Sequence, residues 1–361
     1  MTKPYTPAEQ AWVDQLQQHY DNVSGGVCMA AIRYSGTAPA DPCEGKIGDR
    51  HAIARRHLRL VANTEDRIWA NKEIASFEKW PEKYPVLQSV PITQFSAGKW
   101  SCQKHDERFA GIDSAQIDLS DSENLFKAIY RAVLRHNHLS MARWTAVHEL
   151  TRTEEGWRFF KATAFDNPVT EEEATNALNH WGRCAQSLMS KTKEFEQRLL
   201  AANWNSLDYR AALLQSTPAI AGWGCRLMSF DTRGLPNGEF RQGRQNWIDF
   251  VYIVVIPQDN GHAIITACEK DTRFRVPEVR YIHDSMPAAA PCNLPYEASE
   301  KMIRRISDKI WGLNELGFSE SLYRSWSTTD QRMAQQWMKQ DRSHLLTHPE
   351  RAPEYLPCLL Q

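Results

Sequence analysis

Between Val27 and Asp113 the chain holds no sustained apolar period of either the helical or the strand kind. Prolines at 39, 42, 81, 85 and 91 interrupt it, and only short strand-like runs, Val27–Tyr34 and Val86–Phe95, stand out. A loop-rich unit of this size rarely closes on a hydrophobic core alone and usually needs a staple. The same stretch contains Cys28, Cys43 and Cys102, three of the eight cysteines of the chain, and His105 follows Cys102 at C-x2-H spacing. Two such ligands turn round one ion on a tight knuckle, and a pair from a distant segment completes a tetrahedron. The stretch therefore predicts a structural Zn²⁺ site, without which the N-terminal module loses its fold. The alternative is that the three thiols are buried as small hydrophobes and the histidines are packed or on the surface.

The rest of the chain has clear periods. Thr6-Pro7 opens a short helix carrying Trp12, Leu16 and Tyr20, which Ser24-Gly-Gly ends. Ser120-Asp-Ser-Glu starts a long helix to about Leu150, and Thr170-Glu-Glu-Glu is a capping box for a second to about Asn203, with Leu207–Leu214 read as its continuation. After Pro218 the period turns towards two: Ile220–Phe230, Trp247–Pro257 and His262–Cys268 read as strands, the last two joined by a hairpin through Asn260-Gly261. Met302, Ile306, Ile310 and Trp311, then Thr328–Leu346, return to helix. The fold class expected is α+β: a zinc-stapled module over 1–115, a helical region over 116–215, and a small antiparallel sheet with C-terminal helices over 216–361.

A formal charge of −1 gives no global pull towards nucleic acid or anionic lipid, so such a partner must be met by a local patch. The longest apolar run, Phe250–Pro257, is too short to span a bilayer, and Met1–Pro7 has no apolar signal region, so the expectation is a cytoplasmic protein without membrane partners. Sparse cysteines fit a reducing compartment. Thirteen tryptophans are read as core, because none cluster with Lys and Arg as a base-stacking groove requires. No Walker loop, dinucleotide fingerprint, nucleophile elbow or His-Glu-x-x-His is present. Cys225, flanked by glycine at 224, reads as a core thiol, and His148 and His180 as core or interface residues.

The runs Pro42-Cys-Glu-Gly-Lys-Ile-Gly-Asp-Arg-His-Ala-Ile-Ala-Arg-Arg-His-Leu and Ile92-Thr-Gln-Phe-Ser-Ala-Gly-Lys-Trp-Ser-Cys-Gln-Lys-His-Asp-Glu-Arg-Phe-Ala-Gly-Ile-Asp resemble a group of poorly characterised bacterial zinc-binding proteins with a Cys…His…Cys-x2-His-Asp pattern. The layout is similar to the treble-clef zinc fold that HNH nucleases use. The likeness covers roughly residues 28–113 and extends more weakly through 247–268 to the closing helices. It implies Cys43, Cys102 and His105 on zinc, with either Cys28 or His51 as fourth ligand. With Cys28 there, His51 is free as a general base and Asp106 holds a Mg²⁺ or Mn²⁺ ion on a phosphodiester, which describes a metal-dependent endonuclease. With His51 there, the site is closed and the metal purely structural. Two features depart from the nuclease pattern. Arg50 stands just before His51, where HNH sites carry a metal ligand, leaving Asp49 as a substitute, and fourteen residues separate Cys28 from Cys43.

Lys46, Arg50, Arg55, Arg56 and Arg59 make 46–59 basic, a stripe for DNA or RNA phosphates or else a solvated face. Arg131, Arg135, His136 and His138 on the long helix read as surface. Two functions follow. One is an HNH-like zinc protein that cleaves or binds nucleic acid, for which the resemblance adds bacterial anti-phage defence. The other is a non-enzymatic protein whose zinc is structural and whose C-terminal α+β part binds a protein or small-molecule partner.

Overall fold

The computed structural model describes residues 6–24, 27–31, 42–71, 87–114, 116–163, 168–230, 247–270, 295–296, 300–338, 352–353 and 356–360. Helix α1 is Pro7–Ser24; β1 (Ile47–His51), α2 (Arg55–Arg59), β2 (Arg67–Asn71), β3 (Leu87–Pro91), β4 (Ala97–Cys102), α3 (Gln103–Glu107) and α4 (Ala110–Ser114) follow. Two long helices come next, α5 (Ser122–Leu150) and α7 (Glu171–Leu200), with α6 (Glu154–Thr163) between them. Asp121 caps α5 by accepting the Glu123 N–H, and Thr170 and Glu173 form the expected reciprocal box on α7.

The expected sheet of three strands is larger. Strands β5 (Leu207–Gln215), β6 (Ile220–Phe230), β7 (Trp247–Gln258), β8 (Gly261–Glu269), β9 (Pro295–Tyr296) and β10 (Glu315–Phe318) join β2 and β3 in one eight-stranded sheet, ordered β3-β2-β10-β6-β7-β8-β5-β9. All neighbours are antiparallel except β5 and β9. The sheet takes strands from 67–91 and from 207–318, so it runs across the segment boundaries expected at 115 and 215. The β7–β8 hairpin turns at Asp259-Asn260, with Gln258 opposite Gly261. Leu207–Leu214 is a strand rather than the helical continuation expected: α7 stops at Leu200, Ala202 turns with φ of 49°, and the chain re-enters as β5 beside β8.

The run Phe250–Ile256 is apolar without alternation because both faces of the sheet are covered. Phe250, Tyr252, Val254 and Ile256 pack towards α5 and α7, with Phe126, Tyr130 and Phe195. Ile253 and Val255 face the opposite layer, where α8 (Glu300–Ile310), α9 (Glu320–Ser325) and α10 (Thr328–Trp337) bring Ile306, Ile310, Tyr323 and Trp337. The expected helix over 328–346 is α10 as far as Trp337, and 339–346 lie outside the described residues. No helix among the described residues is long and apolar enough to cross a membrane.

A buried histidine pins one end of this sheet. His262 Nε2 accepts the main-chain N–H groups of Ala219 and Ile220 at 2.9 and 3.0 Å, and Nδ1 lies 2.8 Å from the Ser216 hydroxyl. A ring that accepts at Nε2 is neutral. Burial holds its pKa down to about 4 from the usual 6.5. The unfolded chain therefore takes up this proton first, and stability falls as pH drops from about 6.5 to about 4, by about 3 kcal/mol in all. Urea midpoints measured across that window should fall with acid, and fall less steeply for His262→Gln. Parallel curves for the two proteins would contradict this.

Candidate metal centre

Strands β1 and β4 pair antiparallel in a separate two-stranded sheet, and four side chains from three separate segments meet beside it. Cys28 enters just before a single 3-10 turn, Met29–Ala31, whose Ala31 N–H bonds the Cys28 carbonyl. Cys43 comes from the loop leading into β1. Cys102 ends β4 and His105 sits in the α3 turn that follows, so C-x2-H spacing puts both on one side of that turn. Gly45, at φ of 76°, bends the Cys43 loop against Gln103. Lys104 fastens the same loop: its N–H bonds the Glu44 carbonyl, and its Nζ reaches the Glu44 carboxylate at 2.8 Å and the Pro42 carbonyl at 3.2 Å.

The ligand atoms all lie within 4.8 Å of one another. From His105 Nδ1, the sulfurs of Cys102, Cys28 and Cys43 stand at 3.0, 3.5 and 3.9 Å. Tetrahedral zinc with bonds near 2.0 Å to nitrogen and 2.3 Å to sulfur sets ligands about 3.5 to 3.8 Å apart, so three thiolates and an imidazole at these spacings can hold such an ion. Cys28, Cys102 and His105 are buried at 4%, 0% and 1% exposure, whereas Cys43 is exposed. The Cys102 N–H points at the Cys28 sulfur at 3.4 Å, an outer contact that orients the ligand.

Without a cation the cluster is electrostatically crowded. Burial lifts the Cys28 thiol, but its hydrogen bond and proximity to His105 outweigh that and bring it down to about 7. Burial lowers His105, and the facing Cys28 and Cys102 sulfurs overturn this and carry it up to about 9. Burial and the neighbouring Cys28 and Cys102 sulfurs push Cys43 up to about 12. One imidazolium falls well short of offsetting three thiolates, and a divalent ion at their centre brings the net charge to about −1.

His51, the other ligand weighed for the fourth place, does not join the cluster. It closes β1 at 5% exposure, with Nε2 3.2 Å from the Ile92 carbonyl and the Arg55 guanidinium beside it. Burial, with help from the Arg55 and Arg131 charges, lowers its pKa to about 4. Asp106 lies between two guanidinium groups, Arg50 Nε at 3.3 Å and Arg131 Nη2 at 3.4 Å, and Arg131 also pairs with Asp113. Burial raises the Asp106 pKa against the pull of Arg131 and Arg50.

The basic segment divides. Arg50 turns inward to Asp106, while Lys46, Arg55, Arg56 and Arg59 are exposed. Only Arg55–Arg59 is helical, and His57 anchors it, with Nδ1 3.1 Å from the Pro257 carbonyl and Nε2 2.9 Å from the Ile112 carbonyl. The α5 residues read as surface are a correction: Arg131, Arg135 and His138 are buried, and His136 is half-buried. Arg135 Nη2 meets Glu315 at 2.8 Å, and the Trp223 indole donates to the other Glu315 oxygen at 2.6 Å. Their phase is a usable signal, since 131, 135 and 138 share a helical face with buried Ala128 and Ala142. Cys225 is buried, as expected of a core thiol.

Fold and cluster together define a mixed helix and sheet protein with a Cys₃His site able to hold a metal ion. No protein-family model, curated protein or solved structure matches the chain.

Proposed function

We propose that Cys28, Cys43, Cys102 and His105 hold one structural Zn²⁺ and that the protein acts by binding a partner rather than by turnover. The supporting observation is the closed ligand set: four protein donors within 4.8 Å leave no position for water or substrate. The surroundings agree. A general base needs an accessible lone pair, and His51 is buried with Nε2 at a main-chain carbonyl. A catalytic Mg²⁺ or Mn²⁺ needs a free carboxylate, and Asp106 faces Arg50 and Arg131. Two cysteines ahead of an antiparallel strand pair, then Cys-x2-His at the start of a short helix, support a treble-clef-like reading of this module.

His51→Ala is expected to retain one zinc per chain by elemental analysis and His105→Ala to lose it. The reverse pattern would overturn this assignment. Plasmid nicking in Mg²⁺ or Mn²⁺ that disappears in His51→Ala would restore the endonuclease reading.

One observation favours nucleic acid as the partner: Arg55, Arg56 and Arg59 stand exposed together on α2, the short helix that follows β1. If they touch phosphates, replacing all three by alanine weakens binding to any DNA or RNA sequence alike, and lowers the salt slope by about 1 for each phosphate no longer neutralised. Unchanged affinity and slope would leave a protein or small molecule as the partner.

A further inference from the structure

The three sulfurs of the metal centre are not equivalent. Cys28 and Cys102 are sealed by the core that holds Met29, Trp100 and Phe109, whereas Cys43 opens to solvent on its loop. All three sulfurs lie within 4.8 Å of one another, so any two come within bonding reach through a small side-chain movement. Thiolate chemistry follows access, and a thiolate held in a metal site stays ionised at neutral pH.

We infer that Cys43 is the point at which a peroxide-class oxidant attacks this centre, and that the product is a disulfide between Cys43 and Cys28 or Cys102, with the ion expelled. The inference rests on the structural zinc reading above. In the first step the Cys43 sulfur attacks one peroxide oxygen; an S–O bond forms, the O–O bond breaks, and hydroxide leaves. In the second, a neighbouring thiolate attacks the oxidised sulfur; an S–S bond forms and a second hydroxide leaves. Two thiolates are oxidised by two electrons and one peroxide is reduced to two hydroxides. The ion is left with two of its four ligands and dissociates. Dithiol reductant restores both thiols and the site.

The test uses the zinc-loaded full chain. Zinc content is measured first, and a protein purified without zinc would sink the zinc reading itself rather than this inference. Hydrogen peroxide is then added, release is followed with a chromogenic zinc chelator, and disulfides are placed by peptide mapping. The expected result is release of the ion, reversal by dithiothreitol and re-added zinc, and Cys43 in the disulfide. Zinc retained under peroxide, or a Cys28–Cys102 disulfide with Cys43 still a free thiol, overturns it. Cys43→His keeps two sulfurs and two imidazoles as ligands and should slow peroxide-driven release about tenfold if it loads zinc. If that variant does not load, the wild-type map alone decides.

Discussion

Stripping the proposed zinc with a strong chelator, or replacing Cys102 by serine, should abolish the cooperative unfolding of the chain rather than merely lower its midpoint. A structural zinc contributes apparent binding energy of about 10–16 kcal/mol, which is comparable to the whole stability of about 5–15 kcal/mol expected of a folded domain. The centre also has nothing to replace it locally. Cys28, Met29, Trp100, Cys102, Phe109 and Ile112 belong to the same core as α5 and the sheet, so freeing the knuckle exposes one edge of that core. Calorimetry and near-ultraviolet dichroism before and after chelation check this, with re-added zinc as the control. An unchanged transition after complete metal removal would contradict it.

Truncating Arg135 to alanine should destabilise the protein by about 3–5 kcal/mol, because it strands a buried carboxylate. Glu315 is 1% exposed and sits in β10 between the Arg135 guanidinium and the Trp223 indole. Removing the cation leaves one neutral donor for a charge with no access to water. The double variant Arg135→Met with Glu315→Gln should recover most of the loss, since the penalty belongs to the unpaired charge and not to the absent guanidinium. Urea denaturation of the three proteins measures this, and a single variant within about 0.5 kcal/mol of wild type would refute it.

Short-range signals are legible in the sequence, and long-range ones are not. The Thr170 box and the β7–β8 hairpin are set by neighbours in the chain, and both are present in the fold, although the two-residue loop is Asp259-Asn260 and Gly261 already pairs in β8. The helical reading of Leu207–Leu214 fails because Ala211, Ala212, Leu213 and Leu214 are good helix formers; pairing with β8 overrides that preference. Strands β2 and β10 are short, and pairing with strands distant in sequence, each other and β6 among them, makes them strands. At the metal centre, C-x2-H spacing is local, which is why Cys102 and His105 can be read together. The fourth ligand depends on which of Cys28 and His51 the tertiary fold brings to them, and spacing carries no such information. Asp106 reads as a metal holder in the sequence because nothing nearby announces Arg131, twenty-five residues on, as its partner.

The most direct measurement is zinc K-edge absorption on the purified full chain. The account predicts one zinc per chain with three sulfurs at about 2.3 Å and one nitrogen at about 2.0 Å. A protein that carries no zinc and takes none up, or a zinc shell of nitrogen and oxygen without sulfur, would contradict it.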